Sequence, residues 1–174
     1  MRLNTKIILV LSFAVSFLAS CLKPQSFPVE PAIEFVSFEA QGDSGVITFS
    51  FTDGDGDIGL DQQQLDPPFD TSSFYHYNLY INYYEMMDGS WVRGTADPLG
   101  NNFPTADSIT FSYRLENITP IGQNKALRGE IQIVMEPYYF NSYSNHNDSI
   151  RYEIMLIDRG LNHSNLLETP IIIR

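Results

Sequence analysis

Phe74-Tyr75-His76-Tyr77-Asn78-Leu79-Tyr80-Ile81-Asn82-Tyr83-Tyr84-Glu85-Met86 carries the longest regular pattern in the chain. Tyr75, Tyr77, Leu79, Ile81 and Tyr83 recur at every second position, with polar or amphipathic residues between them. A period of two places alternate side chains on opposite faces of a strand, whereas a helical face needs spacings of three and four. The same period recurs on both sides of this stretch. Upstream, Ile33 and Phe35, continuing through Val36 and Phe38 with a bulge, mark a first strand. Ile47, Phe49 and Phe51 mark a second, introduced by the turn Gly42-Asp43-Ser44-Gly45. Downstream, Trp91 and Val92 follow a turn at Asp88-Gly89. Further strands are carried by Ile109, Phe111, Tyr113 and Leu115, then by Ile131, Ile133 and Met135, then by Ile150, Tyr152, Ile154 and Leu156, and Ile171 to Ile173 close the chain. No long stretch keeps a helical period. Seven or eight strands separated by turn residues predict an all-β fold, an antiparallel sandwich of immunoglobulin-like or fibronectin-like type. The cysteine pair of antibody domains is absent, so this expectation rests on strand number and spacing.

The first twenty residues read differently. Arg2 and Lys6 form a basic start, and Ile7 to Leu18 are apolar apart from Ser12 and Ser16, which is the make-up of a secretory signal. The apolar run ends at Ala19, short of the roughly 20 residues a spanning helix needs. Leu18-Ala19-Ser20-Cys21 follows, and Cys21 is the only cysteine of the chain. This stretch resembles the lipobox of bacterial lipoproteins, and the resemblance implies cleavage after Ser20 and acylation of the Cys21 thiol with palmitate-type chains. Several acyl chains, each contributing about 0.8 kcal/mol per buried CH₂, hold a protein on a membrane without a spanning segment. Residues 1–20 are therefore expected to be a signal peptide, 21–31 a lipidated cysteine with a proline-rich tether, and 32–174 one β-sandwich domain. The implied location is the cell envelope, lipid-anchored at the outer membrane. Surface-exported lipoproteins of some Gram-negative bacteria carry acidic residues straight after the cysteine. Here the sequence reads Leu22-Lys23-Pro24-Gln25-Ser26, which leaves the leaflet open.

The chain has 21 acidic and 10 basic residues, a formal charge of −11 that becomes −13 once Arg2 and Lys6 are removed. An anionic body without a basic stripe repels phosphate backbones, so nucleic acid is excluded as a partner. Acylation of Cys21 also leaves no thiol for a disulfide, and stability must come from the core or from a metal.

The sharpest chemical feature is Asp53-Gly54-Asp55-Gly56-Asp57, directly after the second strand. Three carboxylates at alternate positions repel one another, and a hard divalent cation relieves that repulsion while glycines let the backbone curl around it. An EF-hand does not fit, because Ile58 stands at the sixth position, where glycine is required, and Gln64 at the twelfth, where a bidentate glutamate is expected. In an immunoglobulin-like order this loop neighbours the one before the last strand, Asp158-Arg159-Gly160-Leu161-Asn162-His163-Ser164-Asn165. Asp53, Asp55 and Asp57 are thus expected as calcium ligands, completed by Asp158 or Asn162, with Asp61 a weaker candidate. The mature chain resembles a widespread group of bacterial envelope lipoproteins with an Asp-Gly-Asp-Gly-Asp loop early in a β-sandwich and an Asp-Arg-Gly-x-Asn turn before the final strand.

Other residues are open to more than one reading. His76, Asn78, Tyr80, Asn82 and Tyr84 alternate with the core positions of the long strand and have the composition of a sugar- or peptide-binding face, although tyrosine also favours strands on propensity alone. Tyr138-Tyr139-Phe140-Asn141-Ser142-Tyr143 either folds over the core or forms a contact patch. His76, His146 and His163 match no zinc spacing. Asp107-Ser108-Ile109 and Asp148-Ser149-Ile150 resemble an O-glycosylation consensus of some Gram-negative bacteria, which makes Ser108 and Ser149 candidates for modification. Serine-nucleophile and phosphate-loop motifs are missing. Together these readings predict a non-enzymatic, calcium-stabilised lipoprotein module that binds or positions a glycan, a peptide or another envelope protein. The alternatives are an accessory structural subunit of an envelope complex and a carbohydrate-active enzyme.

Overall fold

The computed structural model describes residues 26–97 and 106–174. The signal segment, Cys21 and the first part of the tether lie outside the described residues. Nine strands run in order: β1 (Ala32–Gln41), β2 (Ser44–Asp53), β3 (Leu79–Met87), β4 (Ser90–Arg93), β5 (Thr110–Tyr113), β6 (Leu127–Met135), β7 (Ser149–Leu156), β8 (Leu167–Glu168) and β9 (Ile172–Ile173). Among the described residues there is no α-helix, and a single 3-10 turn spans Phe74–His76.

The strands form two antiparallel sheets, β1-β2-β6 and β4-β3-β7-β8, with β5 pairing beside β4 on β3 and β9 beside β8 on β7. This is a β-sandwich in which the first, second and sixth strands face the rest. The inner faces supply the core. Ile47 and Phe49 of β2 and Met135 of β6 meet Leu79, Ile81 and Tyr83 of β3 and Ile150, Tyr152, Ile154 and Leu156 of β7, all fully buried. The buried tyrosines keep their hydroxyls partnered, Tyr83 donating to Glu85 Oε1 at 2.8 Å and Tyr152 to the Tyr139 carbonyl. Burying such rings without a partner for each hydroxyl would cost free energy.

Two irregularities follow from the residues. The β1–β2 register shifts between Phe35 and Ser37, so Val36 bulges out and Ile33, Phe35 and Phe38 all turn toward the core. The closing strand divides into β8 and β9 at Thr169-Pro170. Proline has no N–H to give to a ladder, and at Thr169 just before it the N–H still donates to the Tyr152 carbonyl at 2.9 Å, while the side-chain Oγ1, in place of a backbone carbonyl, accepts the Tyr152 N–H at 3.0 Å. Among the described residues the strands therefore number nine, where the sequence predicts seven or eight, and two of them are only two residues long.

The long alternation does not begin where its sequence suggests. β3 starts at Leu79, where partners on both sides become available: Leu156 of β7 and Tyr113 of β5. Tyr75 and Tyr77, in register with the core positions by sequence, lie outside the strand, and Tyr77 is exposed.

Candidate metal centre

The acidic loop continues straight out of β2. Asp53 is the last residue of that strand, paired with Leu127 of β6, and is fully buried. Ile58 and Leu60 then plug into the sandwich, at 0% and 2% exposure. Leu60 N–H donates to the Leu115 carbonyl at 2.9 Å, and Ile118 N–H to the Ile58 carbonyl at 3.2 Å. Between these fixed points the chain must curl, and Asp57 N–H closes the curl on Asp53 Oδ2 at 2.9 Å. Gly56 takes φ +67°, and a side chain there would collide with the Lys125 carbonyl, so both conformation and space demand glycine.

The opposing loop leaves β7 through buried Ile157 and presents Asp158, itself 2% exposed. Asn162 holds that carboxylate at both oxygens, its N–H reaching Oδ1 at 2.7 Å and its Nδ2 reaching Oδ2 at 2.8 Å. The two loops are joined by Arg159 N–H donating to the Asp57 carbonyl at 3.2 Å. Asp53, Asp55, Asp57 and Asp158 thereby each offer a carboxylate oxygen, all lying within 4.8 Å of one another. Asp53 Oδ1 and Asp57 Oδ1 are buried with no hydrogen-bond partner.

The charges of this arrangement oppose one another. At a separation near 5 Å and an effective dielectric of about 20, two unit charges repel by roughly 3 kcal/mol. Burial pushes the Asp53 carboxyl up to about 7, with the Asp55 and Asp57 charges adding to it and the Asp57 N–H pulling the other way. Asp57 is raised by burial and by the charges of Asp158 and Asp55. Asp158 is raised by burial against the pull of its Asn162 hydrogen bonds. A set made only of carboxylate oxygens suits a hard cation such as calcium, which takes six to eight oxygens in flexible geometry; it lacks the imidazole or thiolate that zinc favours.

The remaining candidate residues fall in different places. Asn162 sits at the centre with its amide nitrogen turned to Asp158, so it orients a carboxylate. Asp61 lies off the cluster, accepting from Asn117 Nδ2 at 3.0 Å. The five-residue ligand face does not form as one surface. His76 belongs to the 3-10 turn, and Asn78 is 2% exposed, with Leu115 N–H donating to its Oδ1 at 2.7 Å. Asn82 and Tyr84 share the outer face of β3, but Asn82 is engaged by Arg93 at 2.6 Å, Thr110 at 3.0 Å and Glu153 at 3.1 Å. Arg151 lies over the Tyr84 and Trp91 rings at 5.5 and 4.9 Å. Tyr80 instead stacks on Phe74 at 4.8 Å, with Tyr77 at 6.4 Å, and Phe74 is half exposed. That aromatic patch was not legible, because Phe74 falls in the turn and reaches Tyr80 only across it.

Tyr139 and Phe140 fold into the core, while Tyr138 and Tyr143 remain exposed beside an apolar hollow lined by Ile109, Phe111 and Pro137. This end carries the β1–β2 turn, with Tyr139 N–H donating to the Asp43 carbonyl, and lies a β2 length, about 30 Å, from the acidic end. Ser108 is exposed in an isolated bridge with Thr95, and Ser149 is half-buried in β7. No helix among the described residues is long and apolar enough to cross a membrane.

These features define an antiparallel β-sandwich with an oxygen-only, four-carboxylate cluster at one end. The chain matches no protein-family model and no curated protein. Among solved structures it matches wild-type OgpA from Akkermansia muciniphila at 13% identity and a TM-score of 0.38, over 88% of this chain and 30% of that one. The chain thus spans under a third of that protein, and a likeness this slight says nothing about function.

Proposed function

We propose that this chain is a lipid-anchored cell-envelope protein whose β-sandwich is stabilised by a structural calcium ion and serves in binding or scaffolding without catalysis. The observation that carries the metal reading is the pair of buried, partnerless oxygens, Asp53 Oδ1 and Asp57 Oδ1, inside a cluster of four carboxylates. Buried polar atoms without partners are costly, and a cation would supply what both lack. Two separate loops, one after β2 and one after β7, converge on the cluster, so an ion would tie together the ends of both sheets. Asp53, Asp55, Asp57 and Asp158 would hold it. The anchor reading is supported by Leu18-Ala19-Ser20-Cys21 and the basic, apolar segment before it. For a partner of glycan, peptide or envelope-protein type, the support is the half-exposed Phe74 stacked on the partly buried Tyr80.

An ion that binds only the folded state adds about 2.7 kcal/mol at a hundred times its Kd, which for a domain of this size is roughly 5–10 °C in melting temperature. Titration calorimetry of metal-free protein with calcium should show saturable binding and that upward shift. Absence of heat together with an unmoved melting temperature would overturn the metal reading. Radioactive palmitate should label the native protein and not Cys21→Ala, and label retained by the variant would overturn the anchor.

A further inference from the structure

We infer that the same ion fastens the lipid tether: the segment from Phe27 to Ile33 is gripped between the two loops that supply the carboxylates, so occupancy sets how far the domain stands from the membrane. This rests on the calcium and lipid-anchor readings above and extends them to regulation of the same centre.

On one side of the segment is the acidic loop. A β-carbon added to Gly54, which lies between Asp53 and Asp55, would come within 2.5 Å of the Pro28 carbonyl oxygen and would also strike the Phe27 carbonyl. The tether backbone therefore lies directly against the metal loop, at a place only glycine can leave open. On the other side is the loop that begins at Asp158. Its Asn165 takes both backbone groups of Ile33, Oδ1 accepting the N–H at 2.8 Å and Nδ2 donating to the carbonyl at 3.0 Å. Between these grips Pro31 is buried and Phe27 half-buried, while Pro28, Val29 and Glu30 are exposed. Ahead of β1, Phe27 and Pro28 lie against the acidic loop, whereas Ala32 and Ile33 also pair with Thr52 and Phe51 of β2 and Ile33 is buried in the core, so only the residues before β1 can be released.

Those loops are driven apart by four like charges and drawn together by a cation. The ion and the tether are therefore coupled. From Cys21 to Phe27 is six residues, a reach of at most about 20 Å, whereas from Cys21 to Pro31, the last residue before β1, is ten, about 35 Å. Fastened, the acidic end is held close to the lipid with the Tyr138 and Tyr143 end pointing away. Released up to the start of β1, the domain gains about 15 Å of leash.

The test measures two quantities on the acylated protein in detergent: calcium binding by calorimetry, and amide hydrogen exchange of peptides covering residues 26–35. Calcium should slow exchange at Ile33 by at least about fivefold, the lower end of ordinary coupling between sites. Gly54→Ala, which keeps all four carboxylates, should lose that protection and, coupling being reciprocal, bind calcium more weakly by the same factor. Because coupling is reciprocal, Asn165→Ala should weaken calcium binding by at least about fivefold; a merely structural role would lower the melting temperature and leave the Kd alone. Calcium heat with unchanged exchange at Ile33, or an unchanged Kd in Asn165→Ala, overturns the fastening and leaves the calcium reading standing. No calcium heat in the unaltered protein overturns both.

Discussion

Raising the pH of the metal-free protein from about 4 to about 7 should destabilise it, the reverse of what ion-paired carboxylates do. Asp53 titrates at about 7 in the fold, against 3.8 for an ordinary aspartate. Between those values the folded protein keeps a proton that the unfolded chain has released, and stability falls as pH rises wherever the folded state binds more protons. The contribution is intact below the unfolded value and fully lost above the folded one. At about 1.4 kcal/mol per pKa unit, the displacement of Asp53 is worth on the order of 4 kcal/mol across that window, or roughly 10 °C of melting temperature for a domain of this size. Asp57 and Asp158 move in the same direction, but they share the repulsion already counted at Asp53, so their shifts do not simply add. Asp70, held down by its Ser72 hydrogen bonds, acts in the opposite sense from a fully exposed position. The assay is thermal melting followed by circular dichroism at pH 4.5, 5.5, 6.5 and 7.5, after chelation and again in saturating calcium. The chelated series should fall with pH. Calcium requires the ionised carboxylates, so its stabilisation should grow over the same window and lift the upper end of the curve. A chelated melting temperature that stays level or climbs between pH 4.5 and 7.5 would refute the argument from burial and repulsion.

Three substitutions probe the parts separately. Asp53→Asn retains an acceptor for the Asp57 N–H and removes one charge, so at pH 7.5 it should raise the metal-free melting temperature while abolishing the calcium response; a response equal to that of the unaltered protein would remove Asp53 from the ligand set. Asn78→Ala strips the acceptor from the Leu115 N–H behind the acidic loop, and chemical denaturation should show a loss of about 1–3 kcal/mol, where a loss below about 0.5 kcal/mol would mean that water replaces the amide. Thr169→Val leaves the buried Tyr152 N–H without its Oγ1 acceptor and should also cost about 1–3 kcal/mol, with wild-type stability showing that the β8–β9 break needs no side-chain substitute.

The sequence was legible where a residue's role depends on its own chemistry and its immediate period. Strands β2, β6 and β7 fall where alternate apolar residues place them, since a one-residue slip would turn Ile47, Ile133 or Ile154 out to solvent. The convergence of Asp158 on Asp53, Asp55 and Asp57 was legible for a related reason: strand order decides which loops share an end, and carboxylates are the residues such an end can use. The readings that failed depend on partners, which a period does not contain. His76 and Asn78 continue the alternation of β3 in sequence, yet His76 has left the ladder for the 3-10 turn, and Asn78, whose backbone still bonds Tyr113 and Ile157 on either side, turns its amide inward to the Leu115 N–H. Asn162 illustrates the same limit within the site. An amide offers either an oxygen or a nitrogen, and only the position of Asp158 shows that the nitrogen faces inward. Gly54 goes furthest in this direction. Its sequence neighbours mark it as loop flexibility, but what demands glycine is the backbone of Phe27 and Pro28 passing against it. If that contact is what the residue is for, Gly54→Ala should loosen the tether and weaken calcium by the same factor, whereas a residue kept for flexibility alone would weaken calcium and leave exchange in the tether unchanged.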